Sequence, residues 1–125
     1  MIRRQTIIDL GGFEESFTGP LQMYEDQAFL AKLYLRRAIY FSSKCWLDYR
    51  RHDQTYSEQV TRRGGYDEVR RHFLDWLESY LAAHPELRKP ALMQALDRAL
   101  LPYRRPSVGR PIEMAGKILR KLRMA

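Results

Sequence analysis

Two adjacent carboxylates, Glu25 and Asp26, stand at the start of an apolar run that continues to Leu33, just after the helix breakers Gly19 and Pro20. Acidic side chains in the first turn of a helix are stabilised by unpaired backbone N–H groups and by the helix dipole. A carboxylate fixed at such a helix mouth can also act as a general base. Adjacent helical residues point in different directions, so one of the two would act and the other would cap or position. Both the capping and the catalytic interpretation stay open at this point.

A second cluster, Tyr49-Arg50-Arg51-His52-Asp53, follows a segment with the pattern of a β-strand. The ends of strands in α/β proteins often carry ligand-binding groups. Arg50 and His52 suit phosphate oxygens, and His52 also suits a metal held together with carboxylates from elsewhere. A solvated basic turn accounts for the same residues equally well.

The composition fits one globular domain with a basic C-terminal segment. Of 125 residues, 45% are hydrophobic and 30% are charged, and most of the net charge of +7 lies in residues 102–125. No stretch has the roughly 18 to 20 apolar residues that span a bilayer. Cys45 is the only cysteine and the first residues lack the apolar core of a signal peptide, so a reducing, cytoplasmic location is expected.

The motifs of several enzyme classes are absent from the chain. It contains no HExxH or paired CxxC metal motif, no GxSxG of serine hydrolases, and no P-loop or GxGxxG for phosphates. His72 and His84 are 12 residues apart on a predicted helix, which is not a metal-ligand spacing, and both are expected at the surface.

The periodicity of apolar residues predicts a mixed first part and a helical second part. The β-branched and aromatic residues of 38–49 predict one strand, or two with a bend at Ser42-Ser43, and the polar residues 54–65 predict a loop. The predicted helices are a short one ended by Gly11-Gly12, a buried one over 24–37, one from Tyr66 to about Leu81, one that begins near Pro90, and one after Pro111.

Taken together and in order, the motifs of residues 1–60 resemble the C-terminal half of the catalytic domain of family-2 glycosyltransferases, which have the GT-A fold. The resemblance depends on Arg3-Arg4, the run GGFEESF (11–17), the run YEDQAFLAKL (24–33), the run YRRH (49–52) and Ser57. The run CWLDY (45–49) also resembles a bacterial branch of this family.

The resemblance implies an α/β fold that is mostly helical. Residues 1–60 would form a partial GT-A-like half-domain with a short sheet remnant. Residues 61–101 would form a helical extension, and residues 102–125 a linker followed by a basic amphipathic helix.

The family's ED motif falls on Glu25-Asp26 and implies that Asp26 is the general base. It would deprotonate an acceptor hydroxyl as the oxygen attacks the anomeric carbon of a nucleotide sugar, with inversion at that carbon. Other positions also match the family. The resemblance implies that Gly12, Phe13 and Tyr24 lie on the acceptor side and that Arg50 and His52 lie near the donor diphosphate and its metal.

Two parts of the family's catalytic domain have no match in this chain. The nucleotide-binding half and the DxD metal motif precede the matched residues in the family. The full-length enzyme is expected to use Mn²⁺ or Mg²⁺ and to bind the nucleotide-sugar donor through that half, and its acceptor would be a saccharide or a lipid-linked molecule. We expect this chain alone to be inactive and to hold no metal.

Alternative interpretations concern the half-domain and the basic tail. The half-domain could serve as a non-catalytic interaction module or a homo-oligomer, in which self-association or the C-terminal helices cover an unpaired sheet edge. Residues 110–125 read as an anchor on the inner face of a membrane, or as a helix packed on its own domain with a solvated basic face. Nucleic-acid binding is disfavoured because no aromatic series is interleaved with the basic residues.

Overall fold

The computed structural model describes residues 2–48 and 55–105, whose regular elements are all helical. The chain divides into two compact units, Met1–Leu77 and Glu78–Ala125. The helices are α1 (Arg4–Asp9), α2 (Glu25–Arg36), α3 (Tyr56–Arg62), α4 (Tyr66–Ala83) and α5 (Pro90–Arg104), with 3₁₀ helices at Gly19–Tyr24 and Pro85–Leu87.

The predicted α/β fold class is wrong for the part of the chain that the structure describes. Residues 38–48, the described part of the strand predicted at 38–49, form no backbone-to-backbone hydrogen bond with another described residue. β-branched and aromatic residues favour an extended backbone, but a strand also requires a neighbour that pairs with it. A GT-A-like half-domain with a sheet remnant is therefore not present in residues 2–48 and 55–105.

Gly11 and Gly12 end α1, as the sequence predicts. Both have positive φ angles, 73° and 64°, which side chains with a Cβ atom rarely adopt. The Gly12 N–H donates to the Ile7 carbonyl at 3.0 Å and closes the helix end. Phe13, which follows the two glycines, places its ring 5.1 Å from that of Phe29 in α2.

Helix α2 forms where it was predicted, but only one of its faces is buried. That face carries Ala28, Phe29, Lys32 and Leu33, whereas Tyr34 is exposed. The sequence had predicted that most sides of this helix are buried, because apolar residues occupy most of its circumference. In this unit the described elements pack against the Phe29 side, where Phe29 and Leu33 form a core cluster with Leu10 and the partly buried Ile7, Leu30 and Ile39.

Helix α3 occupies part of the segment that was predicted to be a polar loop. Thr55 caps it, because the Thr55 hydroxyl accepts a hydrogen bond from the Glu58 N–H at 3.3 Å. Thr55-x-x-Glu58 is the sequence pattern of a capping box, which indicates the start of a helix. The prediction of a loop overlooked this pattern because most residues of the segment are polar. The helix ends at Arg62 and is followed by Gly64, which has a φ of 74°, and the Gly65 N–H donates to the Val60 carbonyl.

An aromatic cluster joins the loop after α1 to helix α4. Phe17 is 1% exposed and packs edge-on against His72 and Trp76, with ring centroids 4.7 and 5.8 Å away. Tyr24 stacks on Phe73 at 5.3 Å. His72 is thus half-buried rather than at the surface, and its Nε2 atom has no hydrogen-bond partner among the described residues.

The second unit contains the last turns of α4, the Pro85–Leu87 helix and α5. Its buried side chains are Leu81, Leu96 and Leu100. Helix α5 begins at Pro90, as predicted, and continues through Pro102 to Arg104, where the sequence had predicted a linker. Arg104 forms ion pairs with Glu78 and Asp97. The predicted C-terminal helix lies outside the described residues, and none of the described helices has the length and apolarity needed to cross a bilayer.

Truncation of Phe17 tests the aromatic cluster. Phe17→Ala leaves a cavity against His72 and Trp76, so we expect the free energy of unfolding to fall by about 3–5 kcal/mol. Urea denaturation followed by tryptophan fluorescence measures this change. The control Tyr34→Ala removes an exposed ring and should change stability by less than about 0.5 kcal/mol. Equal losses in the two variants would contradict a core role for Phe17.

Candidate active site

The predicted acidic pair lies at the edge of an open cavity of about 550 Å³ in the first compact unit. Three of the residues that the sequence singled out, Phe13, Glu25 and Asp26, come together here from two separate motifs. The complete lining consists of Phe13, Gln22, Met23, Glu25, Asp26 and Tyr56.

Asp26 is exposed at the second position of α2, and Glu25 is half-buried at the first. Asp26 Oδ1 accepts a hydrogen bond of 2.7 Å from the Gln27 N–H, which is one of the unpaired donors of the first turn. Asp26 Oδ2 has no hydrogen-bond partner among the described residues. The capping and catalytic interpretations are therefore compatible, since one oxygen bonds to the helix and the other is left for a ligand.

A buried lysine holds the Phe13 wall of the cavity in place. Lys32 is only 3% exposed, and its Nζ donates to the Gly12 carbonyl and to Glu14 Oε1, both at 2.7 Å. Phe13 lies between these two anchored positions and packs against Phe29, one helical turn before Lys32. The loop that carries Phe13 is thus fixed to the same helix that carries Asp26.

Tyr56 forms a further part of the lining and was not predicted from the sequence. Its hydroxyl donates to the Gly19 carbonyl at 2.8 Å, which links α3 to the 3₁₀ helix that leads into α2. The capping box at Thr55 and Glu58 was the sequence signal for a helix at this position. It could have predicted that Tyr56 begins a helix, but not that its hydroxyl contacts Gly19.

Gly12 and Tyr24, the other predicted acceptor-side residues, lie outside the lining of this cavity. The Gly12 carbonyl is engaged by Lys32. Tyr24 stacks on Phe73, and its hydroxyl donates to the Tyr66 hydroxyl at 3.1 Å. Direct contact between these two residues and an acceptor stays a prediction.

Arg50 and His52 lie outside the described residues, so their predicted roles near a donor diphosphate and a metal stay predictions. Among the residues that the structure does describe, no group of three or more His, Cys, Asp or Glu side chains could hold a metal ion.

The geometry suits a ligand that combines hydroxyl groups with apolar C–H surfaces. Two aromatic residues, Phe13 and Tyr56, contribute to the lining, and the carboxylates of Glu25 and Asp26 supply hydrogen-bond acceptors. Small-molecule sites commonly combine such aromatic walls with a few polar groups that fix orientation. A hydroxyl group placed at Asp26 could transfer its proton to the carboxylate.

Comparison of the chain with protein-family models, with curated proteins and with solved structures found no match.

The buried lysine predicts an unequal response to loss of its two partners. Glu14→Ala leaves the Lys32 ammonium buried without its carboxylate and should cost about 3–5 kcal/mol of unfolding free energy. Lys32→Met removes the buried charge itself and leaves Glu14, which is partly exposed, to be hydrated, so a smaller loss of about 1–3 kcal/mol is expected.

Urea denaturation of the two single variants and of the double variant measures this order. The double variant Lys32→Met/Glu14→Ala should be more stable than Glu14→Ala alone, because it no longer buries an unpaired charge. If the two losses simply add, the ammonium and the carboxylate do not stabilise each other.

Proposed function

We propose that this chain supplies the catalytic base and the acceptor side of an inverting glycosyltransferase. The observation that carries the proposal is the position of Phe13, Glu25 and Asp26 around one open cavity. The resemblance assigns these residues to acceptor binding and base catalysis on sequence grounds, and they come from motifs separated by the loop and the 3₁₀ helix.

In the proposed reaction, Asp26 takes the proton of an acceptor hydroxyl. The hydroxyl oxygen forms a bond with the anomeric carbon of the nucleotide sugar while the bond from that carbon to the diphosphate oxygen breaks. The nucleoside diphosphate leaves with the electron pair of the broken bond. A single displacement inverts the configuration of the anomeric carbon.

The neighbours of Asp26 orient its carboxylate for this proton transfer. The Gln27 N–H holds Oδ1 at 2.7 Å, which leaves Oδ2 available to the acceptor. Glu25 is half-buried beside it and would bind a second acceptor hydroxyl, and Phe13 would pack against the C–H face of a sugar ring. General base catalysis by one positioned group contributes about 10²–10⁴-fold to a rate.

The nucleotide-sugar donor is bound, in this proposal, by a part of the enzyme other than the described residues. The acceptor is a saccharide or a lipid-linked molecule, and the reaction takes place in the cytoplasm, where residues 110–125 would contact the inner face of the membrane. Nucleic acid has no part in the proposal.

Saccharide binding to the chain itself is the first test. We expect saturation-transfer NMR with a panel of mono- and disaccharides to detect binding, and Phe13→Ala to weaken it at least ten-fold. Asp26→Asn keeps an oxygen acceptor and should bind the same saccharide within about three-fold. Binding that does not depend on Phe13 would place the acceptor elsewhere.

Turnover in a protein that also carries the donor-binding part is the second test. Asp26→Asn should lower the acceptor-dependent release of nucleoside diphosphate at least about 100-fold, because an amide cannot accept the proton. The dissociation constant of the donor should change little. Asp67→Asn is the matched control, since Asp67 is an exposed acid in the first turn of α4. Unchanged turnover in Asp26→Asn would exclude Asp26 as the general base.

A further inference from the structure

The open cavity beside Asp26 is negatively charged. Its lining contains the two carboxylates of Glu25 and Asp26, and among the described residues no lysine, arginine or histidine contributes to it. The described lining therefore has a formal charge of −2, although the whole chain carries +7. The charge of a ligand that enters this cavity will affect how tightly it binds.

The start of α2 offsets only part of this negative charge. The unpaired N–H groups of a first helical turn are equivalent to roughly half a positive charge. One of them, the Gln27 N–H, already binds Asp26 Oδ1 at 2.7 Å. Roughly one and a half negative charges are left for a ligand to balance.

Glu25 has no counter-ion in the part of the chain that the structure describes. Other acidic side chains of the first unit do pair with a base, as Glu14 does with Lys32 at 2.7 Å and Glu58 with Arg62 at 3.4 Å. Glu25 is half-buried at the cavity and forms no hydrogen bond or ion pair with a described residue. A carboxylate that is partly withdrawn from water in this way is stabilised by a cationic partner.

Two aromatic rings in the lining also suit a cation. Phe13 and Tyr56 are 54% and 45% exposed, and each is held by a residue outside the lining. The Phe13 ring packs on Phe29, and the Tyr56 hydroxyl donates to the Gly19 carbonyl. Since that hydroxyl already donates its proton, Tyr56 offers a ligand mainly its ring, and the faces of such rings attract ammonium groups.

We propose that the acceptor is an amino sugar with a free amine, bound in its ammonium form. This inference rests on the proposed glycosyl transfer and adds the substrate class to it. Glu25 binds the ammonium group, whose three N–H donors match a carboxylate without another partner. The rings of Phe13 and Tyr56 pack against the sugar, and a hydroxyl of the same sugar lies at Asp26, which takes its proton.

The same charges disfavour an anionic acceptor. A uronic acid or a sugar phosphate in this cavity would place like charges beside Glu25 and Asp26. A lipid-linked acceptor therefore fits only when its phosphate lies outside the cavity and its amino sugar enters it.

A matched series of methyl glycosides tests the charge preference. The series compares the neutral sugar, its amino form, its N-acetylamino form and its uronic acid, in the gluco, galacto and manno configurations. Ligand-observed NMR titration of the unaltered chain, at a pH where the amine is protonated, measures the dissociation constants. Here we expect one amino sugar to bind at least about ten-fold tighter than its neutral parent, which is about 1.4 kcal/mol.

Acetylation of that amine should remove the whole gain, and the uronic acid should bind weakest, because these two changes respectively abolish and reverse the charge. Equal binding of amine and neutral parent in all three configurations would overturn the inference.

Glu25→Gln separates the ammonium site from the overall charge of the chain. The amide keeps the shape of the side chain but not its charge, so the preference for the amine should fall to about three-fold or less. Glu15→Gln is the matched control, because it removes an exposed acid from the loop that carries Phe13 but lies outside the lining, and it should keep the preference. A preference that survives Glu25→Gln, or that falls equally in both variants, would overturn the proposal.

Tyr56→Leu provides a second measurement that does not depend on Glu25. It replaces the ring by an aliphatic side chain and should lower the preference about three-fold. An unchanged preference in this variant, with an unchanged circular dichroism spectrum, would contradict the aromatic part of the ammonium site.

Tetramethylammonium distinguishes an amino sugar from cations in general. It carries the charge but no hydroxyl and no sugar ring, so we expect it to bind at least about ten-fold more weakly than the preferred amino sugar. Equal affinity would assign the cavity to cations of any kind and overturn the amino-sugar acceptor.

The failure of this inference and the failure of the proposed function give different results. Binding of saccharides that depends on Phe13 but shows no preference for the amine would overturn the amino-sugar acceptor alone. A preference for the amine together with unchanged turnover in Asp26→Asn would exclude Asp26 as the general base and retain the amino-sugar site.

Discussion

The buried ion pair between Lys32 and Glu14 is the interaction on which the arrangement of the candidate site depends. A lysine that is 3% exposed is costly to bury, and its cost is offset only while both the Glu14 carboxylate and the Gly12 carbonyl accept its hydrogen bonds. These two acceptors lie on either side of Phe13. The hydrogen bonds that offset the burial of the Lys32 charge therefore also fix the loop that faces Asp26. Helix α2 packs on the core and holds the wall of the cavity through the same stripe of residues.

The start of α2 places the carboxylates, and its location follows from the elements before it. Pro20 lies at the first turn of the 3₁₀ helix Gly19–Tyr24, where a missing N–H is tolerated, and that helix runs directly into α2 at Glu25. Tyr24, stacked on Phe73, and Tyr56, bonded to Gly19, fix this junction from α4 and α3. Asp26 consequently sits where three neighbouring elements meet, although it is itself exposed.

Sequence reasoning succeeded where the signal was local. The glycines that end α1, the acids that begin α2 and the proline that begins α5 each act through their own backbone geometry. It failed for the strand at 38–49, because β-structure depends on a partner that no local pattern specifies. It also could not place Lys32 in the interior, since lysine is rarely buried and its two acceptors are 18 and 20 positions away. For the candidate site, the sequence supplied Phe13, Glu25 and Asp26 but neither Tyr56 nor the buried pair that holds the loop.

Helix α2 also links the candidate site to the core of the first unit. Its 12 residues span roughly 18 Å, with Asp26 in the first turn and residues 38–48 following the last. Ile39 packs on the core cluster that contains Phe29 and Leu33, and these two residues belong to the same buried stripe as Lys32. The stripe that closes the core therefore also carries the lysine that fixes the loop facing Asp26, so a change in the packing of α2 would alter the core and the cavity together.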